Sequence, residues 1–238
     1  MFRRIVFTAL IAGLLGGLAI SALHEFTTTP LILAAEKFES RSGGAHSHGN
    51  HSHEAPGHDA VPAPGDSPGE AWAPEDGFER TAYTTMANIL LAVGFSLLLT
   101  GCFSLNQGTI GAREGVIWGA AGFAVFNLAP ALGMAPEVPG AIAAELGARQ
   151  GWWLLCVLST AAGLWILAFR HGALWVLAGL VALALPHIVG APHPEQVGGS
   201  IPPELAAQFS ATSLAMAAVF WIMLGSLSGA VWRRRIGD

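Results

Sequence analysis

The chain has 238 residues, 53% of them hydrophobic and 11% charged, with a net charge of −5 and a mean hydropathy of +0.53. Soluble domains carry about 25% charged residues, so this composition argues against a soluble domain. A single lysine, Lys37, and the lack of a G-x-x-x-x-G-K-[ST] sequence exclude a P-loop nucleotidase, and no basic, aromatic-interleaved face points to nucleic acid.

Six segments carry no charge at all: 5–23, 81–111, 115–136, 151–169, 172–186 and 205–232. A helix needs roughly 20 apolar residues to cross a bilayer, so the chain is read as an all-α polytopic membrane protein with six spans. Span one follows Arg3 and Arg4 and ends near His24 and Glu25. Arginines before an apolar run also suit a signal peptide, and cleavage would leave five spans. The run is long for a signal, however, and its stripe of Ala9, Gly13, Gly17 and Ser21 suits close helix packing, so a retained helix is expected. The stretch "TTTPLILAAEKFE" then predicts a short surface helix with Leu31, Ala34, Ala35 and Phe38 on one face.

Residues 40–71 are rich in Gly, Pro, Ser, His and Ala and have almost no large apolar side chains. Such a segment cannot offset its ordering entropy, and a disordered extracytoplasmic loop is expected. The chain therefore divides into 1–39, the first span with its interfacial segment; 40–71, the His-rich loop; and 72–238, a five-helix transmembrane domain. Trp72 and Phe78 suit an interfacial position before span two.

Span two contains Asn88 and Cys102. The turn over 104–114 leads to a second small-residue stripe, Gly111, Gly115 and Gly119. Span three contains Asn127 and runs into "APALGMAPEVPG", whose prolines stop regular helix. Trp152 and Trp153 open span four, which holds Cys156. Span five is short and ends in "LPHIVGAPHPE"; span six carries Gln208, Gly225 and Gly229 and ends at Arg233, Arg234 and Arg235. The two cysteines are read as small apolar packing residues. Asn88, Asn127 and Gln208 either hydrogen-bond between helices or line a pathway. The small-residue stripes also permit an oligomer.

With six spans, both termini share one side. That side holds seven basic and two acidic residues, and the other holds four basic and fourteen acidic ones. Arg and Lys in short loops favour the cytoplasm, which places both termini there in a bacterial inner membrane.

Two regions suggest metal chemistry. His46, His48, His51, His53 and His58 crowd the outer loop, with Glu54 and Asp59 beside them. Imidazole suits divalent transition metals, and a flexible tract would collect ions with modest affinity and little selectivity. At the end of span five, Pro186 releases a backbone carbonyl beside His187, with His193 beyond; His187 either hydrogen-bonds at the interface or serves a site. His24 and Glu25 end span one on the same side, and Glu36 is near in sequence. His24, Glu25, His187 and His193 are therefore the expected entry or transport site. Only neutral imidazole binds metal, so uptake should weaken below about pH 6. No nucleophile–base constellation marks an enzyme, and no permanently bound cofactor is expected.

Several stretches in fixed order resemble the CbtA family of predicted cobalt transporter subunits. They are "MFRRIVFTALIAGLLGGLAISALHEF" with "PLILAAEKFE", "DGFERTAYTTMANILLAVGF", "WGAAGFAVFNLAPALGMAPEVPG", "ARQGWW", "LPHIVGAP" and "PPELAAQFSATSLAMAAVFW". The resemblance implies an inner-membrane protein of cobalt uptake, with Co2+ as substrate and a small single-span, His-rich CbtB-like partner. It does not supply proven ligands, and the family is commonly given five spans where six are counted here. The expected function is a subunit of a transition-metal uptake transporter. The alternative is a metal-binding membrane scaffold or sensor that translocates nothing.

Overall fold

The computed structural model describes residues 1–43, 74, 77–106, 108–194 and 201–234. All regular structure among them is helical. Among the described residues, four helices are long and apolar enough to cross a membrane: α1 (Phe2–Phe26), α3 (Phe78–Leu105), α6 (Leu146–Phe169) and α8 (Pro203–Arg234). The surface helix expected after span one is α2 (Thr28–Gly43), which runs past residue 40, where the loop was expected to begin. The histidine tract lies outside the described residues.

The other two expected spans form differently. Segment 115–136 is divided into α4 (Ala112–Phe123), a π segment (Ala124–Leu128) and a single turn, α5 (Ala129–Ala131). Pro130 has no N–H to return to the Phe126 carbonyl, and just ahead of it the Ala129 N–H bonds back to Ala124 in π register. The fifth apolar segment, α7 (Ala173–Val189), has 17 residues and rises about 26 Å. Span two ends at Leu105, where the turn over 104–114 was expected to begin. There Asn106 turns extended and its Oδ1 accepts from the Gly108 N–H at 2.9 Å, a side-chain-stabilised turn that ends the helix.

Glycines set the packing. Apolar side chains gain little by leaving lipid, so membrane helices associate where small residues let backbones approach. A methyl added at Gly13 would sit 2.5 Å from the Val93 Cα, and one at Gly17 2.5 Å from the Ile89 Cα; the stripe on α1 therefore faces α3. Methyls at Gly115 and Gly119 would meet the carbonyl oxygens of Gly225 and Trp221, and one at Gly229 the carbonyl of Gly111. The two later stripes thus interlock α4 with α8. Gly16 brings α1 against Leu224 of α8, and Gly163 and Gly179 join α6 to α7. The α6–α7 hairpin meets the rest of the bundle through the π segment and α5.

All these pairs are antiparallel, so the bundle has two distinct ends. At one end the Arg4 guanidinium donates to the Trp232 carbonyl at 2.7 Å and stacks 3.8 Å over the Trp232 ring. This joins the start of α1 to the end of α8. Arg233 lies beside Gly111 at the start of α4. At the opposite end Arg80 pairs with Glu36, and Arg149 with Glu137 at 3.1 Å. Two of that end's basic residues are thus neutralised by carboxylates.

Candidate functional site

A cleft of about 520 Å³ opens among α1, α2, α3, the π segment, α6 and α8, in the half of the bundle that contains the C-terminal end of α1. Its polar lining residues are His24, Thr28, Asn88, Asn127 and Ser213; most of the remaining wall is aromatic or aliphatic. Local geometry fixes the two amides. Ser21 bonds back to the Gly17 carbonyl at 2.8 Å, and its Oγ accepts from Asn88 Nδ2 at 3.0 Å. Asn127 belongs to the π segment, and its Oδ1 accepts from Trp221 Nε1 at 2.7 Å. Single π turns inside α-helices occur frequently at functional sites, and this one places an amide on the cleft wall.

One large side chain contributes to the floor of the cleft. Trp221 is 1% exposed. It stacks on Phe126 with planes 10° apart and lies 4.6 Å, centroid to centroid, from Phe95. The ring fits because position 122 is glycine: a methyl there would collide with the carbons of its six-membered ring. Farther along, Ser96 and Ser228 share a buried hydrogen bond of 2.8 Å between α3 and α8.

The structure distributes the expected site residues unevenly. His24, Asn88 and Asn127 line the cleft together. Glu25 accepts instead from Thr81 Oγ1 at 3.3 Å, and Glu36 is held by Arg80. His187 is exposed on α7, its ring 6.1 Å from that of Trp152, whose Nε1 donates to the Pro186 carbonyl at 3.0 Å. Pro186 stays inside the helix, and its own carbonyl also accepts from Gly190. His193 and Gln208 are exposed and are not among the cleft residues. His46, His48, His51, His53 and His58 lie outside the described residues. Among the described residues, no group of three or more His, Cys, Asp or Glu side chains is placed to hold a metal ion.

Sequence reasoning missed most of the wall: Thr28, Phe126, Trp153, Phe209, Ser213 and Trp221. The only available signal was Asn127 three residues ahead of a proline within an apolar run, which marks an interrupted helix with a polar side chain at the break.

Long apolar helices packed around a partly polar cleft mark a helical membrane protein. The model of the CbtA family, described as a probable cobalt transporter subunit (CbtA), matches residues 2–233. The chain belongs to that family. No curated protein and no solved structure matches it.

Proposed function

We propose that this chain is the inner-membrane subunit of a cobalt-uptake transporter and that the cleft is its outer vestibule. The observation that carries this reading is the cleft itself, which gathers His24, Asn88 and Asn127 in the half of the bundle opposite the arginine-rich end. The proposed topology has six spans with both termini cytoplasmic. The helix from 112 to 131 crosses despite its π segment, and α7 crosses at the lower limit of spanning length. The basic end then faces the cytoplasm, as the positive-inside rule requires.

In the proposed path, the histidine tract collects divalent ions at the outer surface. His187, His193 and Glu25, at the same end of the bundle, assist entry, and His24 is the ligand that the cleft offers. Trp221 and its aromatic neighbours close the path beyond the cleft, and passage requires them to move. A small single-span, His-rich CbtB-like subunit completes the transporter. Co2+ is cargo, with no resident cofactor and no catalysis.

The test is radiolabelled cobalt accumulation in cells expressing the chain with and without the small partner. Versions would include His24→Ala, His187→Ala and a deletion of residues 43–59, at matched membrane expression. Uptake abolished by His24→Ala, reduced only at low cobalt by the deletion, and weaker at pH 5 than at pH 7 is the expected result. Background uptake in every version, partner included, would favour the scaffold or sensor reading.

A further inference from the structure

The donors that line the cleft are all neutral. His24 offers an imidazole, Met216 a thioether, Asn88 and Asn127 amides, and Thr28 and Ser213 hydroxyls. None of the described lining residues carries a carboxylate or a thiolate. The amides are also partly committed, Asn88 Nδ2 to Ser21 and Asn127 Oδ1 to Trp221. A bare divalent ion here would keep its full charge against the rings of Phe95, Phe126, Trp153 and Phe209, and unpaired charge in apolar surroundings is strongly disfavoured.

Size gives the same answer. Six coordinated waters at about 30 Å³ each occupy about 180 Å³, roughly a third of the cleft's 520 Å³. A cavity of several hundred Å³ with apolar walls and a few placed polar groups is the form that binds small organic molecules.

We infer that the cleft takes its metal as a complex of low or zero net charge, in which a flat organic ligand supplies the negative donors and His24 displaces one water to fill a remaining coordination position. The aromatic walls stack on the ligand. Asn88 Oδ1 is left to accept from its edge, and Asn127 Nδ2 to donate. This rests on the cleft being the vestibule and specifies what enters it.

The experiment uses the full chain in lipid nanodiscs, titrated calorimetrically with cobalt(II) chloride, neutral bis(8-quinolinolato)cobalt(II) and metal-free 8-quinolinol. Empty nanodiscs serve as the partition control. The complex should bind at least about tenfold tighter than the aqua ion. Its visible d–d bands should shift on binding, and His24→Ala should abolish that shift. Aqua cobalt binding as tightly as the complex would overturn the inference. So would uptake of the complex no greater than by empty nanodiscs, or a spectrum unaffected by His24→Ala. Should aqua cobalt bind tightly and cells accumulate it, the inference falls and the transport reading stands. Should no probe bind and no cobalt accumulate, the assignment of the cleft falls as well.

Discussion

Trp221 is a polar donor placed at the centre of an apolar cluster. Its indole N–H would be costly without a partner, and Asn127 Oδ1 supplies one at 2.7 Å. Trp221→Phe removes the donor and leaves the amide oxygen unsatisfied. Hydrogen bonds between membrane helices average about 0.6 kcal/mol, and an orphaned acceptor adds to the loss. Trp221→Phe should therefore destabilise the protein by about 1 kcal/mol. Adding Asn127→Leu should recover part of that, because the orphaned group is gone. A double-mutant cycle in mixed-micelle unfolding measures the coupling, and additive effects would show that the bond contributes nothing. The sequence exposed Asn127 as an amide in an apolar run but left its role open between bonding and lining. The structure shows the bond, to an indole 94 positions away in sequence, and sets the residue on the cleft wall.

Helix packing follows from glycine placement, and two glycines test this directly. A methyl at Gly115 meets the Gly225 carbonyl, whereas one at Gly94 finds nothing within 4 Å. Gly115→Ala should force α4 and α8 apart at a cost of about 1–3 kcal/mol. Gly94→Ala should be neutral or stabilising by about 0.5–1 kcal/mol through helix propensity. Unfolding of both variants in mixed micelles separates the outcomes, and equal effects would refute the packing argument. Both stripes were legible in the sequence because four-residue spacing aligns small residues on one helix face. Which face met which helix was not, because glycine carries no side chain to specify a partner.

A second element-scale prediction concerns the start of α6. Glu145 accepts from the backbone N–H groups of Gly147 and Ala148, both at 2.7 Å, and these bonds hold its carboxyl below the ordinary glutamate value. The capping contribution is therefore complete above that ordinary value, near 4.3, and is lost as pH falls through the lowered one. The amide resonances of Gly147 and Ala148 should titrate together with a midpoint below 4.3 and stay flat in Glu145→Gln. A midpoint at or above the ordinary value would contradict the cap.

At the scale of the molecule, the two ends differ in charge and in what holds them. Arg4 clamps one end through Trp232, and carboxylate-paired Arg80 and Arg149 mark the other. The proposed orientation is tested in a variant with Cys102 and Cys156 replaced by alanine. A cysteine at Ala141 should react with an impermeant maleimide in intact cells, and one at Arg113 only after permeabilisation. The reverse pattern would invert the topology and move the cleft to the cytoplasmic side.

Composition and uncharged run lengths alone determined that this is a helical membrane protein, because a bilayer admits a backbone only when its own hydrogen bonds are satisfied. The ordered stretches likewise carried the family, which the match over residues 2–233 bears out. The tertiary structure decided what those properties left free. It divided one expected helix at a π segment and gathered His24 with Asn88 and Asn127 around a cleft. It set His187 on α7 beside Trp152, on a helix packed against α6, while His24 lies on α1 against α3 and α8. Residues at one end of a bundle share a depth by sequence periodicity alone. Whether they share a site depends on which helices are neighbours, and glycine contacts between distant segments settle that.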